Sequence, residues 1–272
     1  MAELERRLAA LDRDLLDDEP AGPAGYSGRQ AITRDARNFI RALEEVTSTG
    51  DHSITGIVSP ADADAIVATS PLIRRLGSSE PALVTDGMDG RRQFWISTGK
   101  PPWVPPGQPV LSPDHFVAAA HLGQGRHVNP FGVGLYTSSG FQGTQGMWRL
   151  YLDLGDYSAN TPHPWHVWRA QVSPAARVGN VTTAGEWVEL ILRYPAIRDG
   201  LIYPDWRAIA GVWDGVHITI RAIAAMQGLR IRTPRGFAAP SYWDVETTFW
   251  LNWAFAEVQR VEVVELMDRP PG

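Results

Sequence analysis

FGVGLYTSS, residues 131–139, passes from two glycines into a run of apolar, aromatic and hydroxyl side chains. The glycines read as a tight turn, and the rest reads as a β-strand, since Leu, Tyr and Thr suit a pleated, half-buried surface. Similar short runs, separated by Gly and Pro, recur from Arg91 onward: RQFWIS (92–97), MWRLYLDL (147–154), WHVWRAQV (165–172), ARVGNV (176–181) and VQRVEVVEL (258–266). Helical patterns are fewer between them. TTAGEWVELILRY (182–194) opens on Thr183 with Glu186 three residues on, a capping box, while DHFVAAAHLG (114–123) and ITIRAIAAMQG (218–228) each stop at a glycine. Strands that do not alternate regularly with helices predict an α+β domain with antiparallel or mixed sheets.

Upstream of Arg91 the pattern is helical. Leu4, Leu8, Leu11 and Leu15 place a helix over 2–17, a Gly/Pro linker follows over 19–28, and Phe39, Ile40, Leu43 and Val46 share one face of a helix over 35–46. Ser59-Pro60 starts a third helix, predicted over 60–68. Composition shifts along with the pattern. Residues 1–94 hold 16 acidic and 11 basic groups, whereas 95–272 hold 14 of each, so the net charge of -5 belongs to the first part. All 11 tryptophans lie after Phe94. The reading is an acidic helical segment over 1–84, suited to docking a partner or immunity protein, followed by a Trp-rich α+β domain over 85–272.

Several classes of function are excluded or disfavoured. With no cysteine there are no disulfides, thiolate metal sites or cysteine nucleophiles. No G-x-x-x-x-G-K-[ST] loop is present, nor a G-x-G-x-x-G opening a helix, nor a G-x-S-x-G elbow. His163 and His166 flank Pro164 and cannot share a helix turn, so no metal is expected there. The basic residues form no run, which argues against a general nucleic-acid face. No apolar stretch reaches the ~18 residues of a membrane span, and the acidic, amphipathic start is unlike a signal peptide. The expected location is cytoplasmic, or exported without a recognisable signal.

YWDVETTFWL, residues 242–251, is the second segment that can carry chemistry. On a strand, Asp244 and Glu246 face one side with Trp243 and Val245 on the other. Carboxylates crowded by Trp243, Phe249 and Trp250 perturb each other's ionisation, as acid–base sites require; a solvated edge strand is the alternative. The segment 203–219 reads as a Trp-packed turn, with Asp214 and His217 as alternative ligand contacts.

Taken in order, Arg91/Arg92 before QFWISTG, GVGLYTSS at 132–139 and Asp244-x-Glu246 before a closing strand resemble the ADP-ribosyltransferase superfamily, in particular the bacterial toxin-like mono-ADP-ribosyltransferases. The resemblance spans about residues 85–266. It implies a pair of packed, mostly antiparallel sheets and NAD as substrate. It further implies that Arg92 or Arg91 grips the NAD phosphates, that Tyr136 stacks on nicotinamide, and that Gly134, Thr137, Ser138 and Ser139 shape the pocket. Glu246 then bonds the ribose 2′-hydroxyl as nicotinamide leaves, and Asp244 orients an acceptor: a protein, a nucleobase or a small molecule. Asp244 stands where the family carries Glu or Gln, which leaves an NAD-hydrolysing toxin as the alternative within the class. A non-enzymatic Trp-rich binding module is the alternative outside it.

Overall fold

The computed structural model describes residues 57–79, 81–98, 116–121, 128–130, 133–141, 145–154 and 163–265. The expected helices over 2–17 and 35–46, with the partner-docking role given to them, lie outside these residues.

Two sheets form, both from short strands. The larger is built from β2 (Gln93–Thr98), β3 (Leu135–Ser139), β4 (Trp165–Val172), β5 (Val178–Val181), β8 (Gly215–Ile218), β11 (Thr247–Trp250) and β12 (Phe255–Val264), in the order β12-β4-β2-β3-β11-β8-β5. All its pairs are antiparallel except β5 with β8. The smaller contains β1 (Ile57–Val58), β6 (Pro195–Arg198), β7 (Leu201–Pro204), β9 (Arg230–Thr233) and β10 (Gly236–Ala238), in the order β1-β9-β10-β7-β6. The chain is therefore α+β with few helices, a mostly antiparallel larger sheet and a mixed smaller sheet, in which β1 with β9 and β7 with β10 are parallel and the other two pairs antiparallel.

Helix starts follow local capping chemistry. Helix α1 (Pro60–Thr69) begins with the Ser59 side chain accepting from the Asp62 N–H and Pro60 in the first turn. Helix α2 is Pro71–Ser79. In α4 (Ala184–Arg193) the Thr183 hydroxyl accepts from the Glu186 N–H, and the Glu186 carboxylate reaches back to the Thr182 N–H at 2.6 Å. The short helices α5 (Trp206–Ala210) and α6 (Ile220–Met226) are capped by Asp205 and Thr219.

One expected strand is a helix. Residues 147–154 form α3 (Met147–Leu154), because apolar residues at 147, 150 and 151 fit a helical stripe as well as a strand. The Ser138 hydroxyl, accepting from the Trp148 N–H at 3.1 Å, then caps its start. The helix expected over 114–123 is, in its described part, a 3-10 turn at Ala119–His121. None of the described helices is long and apolar enough to cross a membrane.

Side-chain alternation in both sheets delivers apolar residues to one core. Ile202, Ile231 and Ala238 from the smaller sheet meet Tyr136, Val216, Ile218 and Phe249 from the larger, with Trp187, Trp206 and Trp243 between them. Trp95, Trp168 and Trp250 form a second cluster on the opposite face of the larger sheet.

Residues 57–84, whose composition resembles the helical N-terminal third, contribute Val58, Ala63, Ile66, Val67, Leu76 and Leu83 to the shared core. The Asp64 carboxylate accepts from the Ala184 and Gly185 N–H groups at 2.7 and 3.1 Å, so α1 also caps α4. A chain that begins at residue 85 loses these side chains, of which the Val, Ile and Leu are each worth roughly 2 kcal/mol of burial. The sum is comparable with the whole stability of a domain, so this truncation is expected to abolish cooperative thermal unfolding. A soluble truncated protein with the full-length melting midpoint would contradict the shared core.

Candidate functional site

Three sequence-distant elements meet at one end of the larger sheet. Gln93, at the start of β2, lies opposite Ser139, at the end of β3. β11 follows directly after Glu246 and pairs with β3 through Thr248 and Thr137, and with β8 through Thr248 and His217. The period-2 rule then places Gln93, Thr137, Ser139, Glu246, Thr248 and His217 on one face.

Glu246 is the centre of this cluster. It is only 7% exposed, and both carboxyl oxygens are held by one residue. The Ser139 N–H donates to Oε2 at 2.9 Å and the Ser139 hydroxyl to Oε1 at 2.9 Å. Burial pushes the Glu246 carboxyl up to about 7 from the ordinary 4.5, and the two Ser139 bonds work against that rise. His217 Nδ1 lies 3.4 Å from Oε1 and 3.1 Å from Thr248 Oγ1. Burial lowers the His217 imidazole to about 4 from 6.5. Between pH 4 and 7 the pair therefore carries a protonated carboxyl beside a neutral ring.

Arg92 stands at the edge of the cluster. Its carbonyl accepts from the Gly140 N–H at 2.7 Å, directly after Ser139, and its guanidinium pairs with Asp89 at 2.8 Å while remaining about half exposed. Arg91 is exposed and its N–H donates to Asp89. Asp89 thus organises the turn before β2, and its own N–H donates to the Ser139 hydroxyl at 3.1 Å.

Other expected site residues lie elsewhere. Tyr136 is three positions from Ser139 and faces the opposite side of β3. Its ring stacks on Phe249 at 4.6 Å and its hydroxyl donates to the Pro130 carbonyl, so it is a core residue rather than a nicotinamide platform. Ser138 shares that opposite face and is engaged in capping α3. Gly134 sits at the far end of β3 with φ +65°, where an added Cβ would fall 2.4 Å from the Phe249 ring and 2.5 Å from the Trp250 carbonyl oxygen. The close approach of the β11 backbone requires glycine there. Thr137 is on the correct face but beneath the site, bonded to Trp250 and Gln93.

Asp244 and Glu246 do not share a strand. The Val245 N–H bonds back to the Trp243 carbonyl around Asp244, whose φ is +60°, and the strand begins only at Thr247. Asp244 accepts from Gln227 Nε2 at 2.6 Å, so different partners hold the two carboxyl groups. Asp214 ties Arg177 to Asn252 and so belongs to a structural turn.

Gln93 and His217 are the site members that local pattern did not single out for catalysis. The signal for Gln93 is a polar residue immediately before the apolar run FWI, at a strand position where a buried side chain must find partners.

Trp95, Trp187, Trp206, Trp243 and Trp250 are wholly enclosed, Trp148, Trp165 and Trp168 are buried, and Trp213 and Trp253 are half-buried. The described tryptophans therefore build cores and leave no open aromatic platform among the described residues. Nor do the described residues include a group of three or more His, Asp or Glu placed to hold a metal.

No family model, curated protein or solved structure matches the chain.

Proposed function

We propose that this chain cleaves the nicotinamide–ribose bond of NAD and passes ADP-ribose to an acceptor, with Glu246 as the catalytic carboxylate. One observation carries the reading: Ser139, from the hydroxyl-rich strand, holds both oxygens of Glu246 beside the turn that presents Arg92. The resemblance requires these three elements at one site, and they lie 47 and 107 residues apart in the chain.

The chemistry follows from the residues. A carboxylate offers about four lone-pair positions, and Ser139 takes one on each oxygen, which leaves acceptor capacity for a ribose hydroxyl. Once ionised, Glu246 stabilises positive charge that develops on the sugar as nicotinamide departs. Burial strengthens that interaction by lowering the local dielectric. Arg92 keeps N–H donors beyond the one given to Asp89, in the planar fork that suits phosphate oxygens.

Incubation with NAD labelled in its adenylate half is expected to release nicotinamide. Label that follows a protein or nucleobase identifies a transferase, and label that ends as free ADP-ribose identifies a hydrolase. Absence of nicotinamide release from folded protein would overturn the proposal.

A further inference from the structure

Gln93 touches neither oxygen of Glu246 in any bond described above, yet the cluster depends on it. We propose that Gln93 is a positioning residue that makes the Ser139 hydroxyl an obligate donor to Glu246; its catalytic meaning rests on the NAD-cleaving reading.

Trp250 Nε1 can only donate, and it donates to Thr137 Oγ1 at 2.8 Å. The Thr137 hydroxyl donates its single hydrogen to Gln93 Oε1. That fixes the oxygen end of the amide. The nitrogen end is fixed separately, because Nε2 donates to the Asp89 carbonyl at 3.0 Å, which can only accept. The second Nε2 hydrogen goes to Ser139 Oγ at 3.0 Å. Ser139 Oγ also accepts from the Asp89 N–H at 3.1 Å. Both of its acceptor positions are then filled, and its single hydrogen is directed to Glu246 Oε1 at 2.9 Å.

Gln93, Thr137 and Trp250 are 0% exposed, and Ser139 and Asp89 are partly buried. Water therefore does not replace a missing partner cheaply. A hydrogen bond donated to a carboxylate favours its ionised form, so the direction of the whole chain favours the state of Glu246 that the proposed reaction uses.

The test compares Gln93→Met, which deletes the amide at similar volume, with Gln93→Glu, which keeps the shape but replaces the donor end with an acid. The readout is the titration midpoint of the Glu246 carboxyl, followed by carbon NMR in folded protein. Both variants are expected to raise it, by about one pH unit for Met and more for Glu. Nicotinamide release at pH 7 should fall about fivefold in Gln93→Met, with the loss in kcat rather than KM and partly recovered at higher pH.

Ser139→Ala supplies the second measurement. In that background Gln93→Met should produce no further shift, because the residue acts through a hydroxyl that is gone. Midpoints unchanged in folded Gln93→Met, or equal shifts with and without the Ser139 hydroxyl, would overturn the positioning role. The NMR titration needs no activity, so it separates failure of this role from failure of the NAD-cleaving reading: a wild type that releases no nicotinamide defeats the latter alone.

Discussion

Gly134→Ala is expected to lower stability by about 2–5 kcal/mol. The left-handed backbone at φ +65° costs an L-residue about 1–2 kcal/mol, and overpacking adds about 1–3 kcal/mol. The overpacking cannot be relieved by a rotamer change alone. One clashing atom is the Trp250 carbonyl oxygen, part of the β11 backbone, and the other two belong to the Phe249 ring. That ring is held between Tyr136 at 4.6 Å and Trp206 at 5.0 Å. Gly200 supplies the control. It has φ +76° and nothing within 4 Å of an added Cβ, so Gly200→Ala carries the backbone cost only. Urea denaturation of the two variants should differ by the overpacking contribution, and equal losses would show that the β3 entry is not tightly packed.

The buried pair predicts opposite pH dependences once its members are separated. Folded Glu246 holds its proton to about pH 7, whereas the unfolded chain releases it near 4.5. The folded state binds more protons in that window, so the Glu246 contribution is complete below 4.5 and is lost as pH rises through 7. His217 behaves in the reverse sense. The unfolded ring protonates near 6.5 and the folded ring only near 4, so its contribution is complete above 6.5 and is lost as pH falls through 4. Each is worth about 3 kcal/mol at 1.36 kcal/mol per unit. In the wild type the slopes oppose each other between 4.5 and 6.5, and the pair leaves stability nearly flat there. Glu246→Gln should therefore give melting temperatures that climb from pH 4 to 6.5, and His217→Asn ones that fall from pH 4.5 to 7. Parallel pH profiles in the two variants would show that burial does not shift Glu246 and His217 in opposite directions.

Much of the larger sheet is legible in short runs, because β-branched and aromatic residues between glycines and prolines have few other uses. Residues 147–154 were ambiguous, since six apolar positions out of eight satisfy a strand and a helix alike. There the decision came from Ser138, a long-range cap in a neighbouring strand. Ser139 and Glu246 were visible as members of short motifs. Their contact was not, because register between β3 and β11 is set by core packing and not by either segment alone.

Tyr136 shows a different limit. Its separation from Ser139 already placed it across the strand, so alternation within LYTSS contradicts a shared pocket. Asp244 shows the converse: alternation predicted a shared face with Glu246, and the positive φ at Asp244 broke the strand between them. Gln93 and His217 lie 46 residues from Ser139 and 29 from Glu246. His217 was open only as an alternative ligand contact and Gln93 only as a polar residue before an apolar run, and the seven-stranded order is what joins them to Glu246.

The most direct test of Glu246 as the catalytic carboxylate is nicotinamide release from NAD between pH 5 and 9, in wild type and in Glu246→Gln. Wild-type release is expected to rise through about pH 7 as the carboxyl ionises. The Gln variant, folded and keeping one of the two Ser139 bonds, is expected to fall by about 10²- to 10³-fold or more. Release by Glu246→Gln at the wild-type rate would contradict that role.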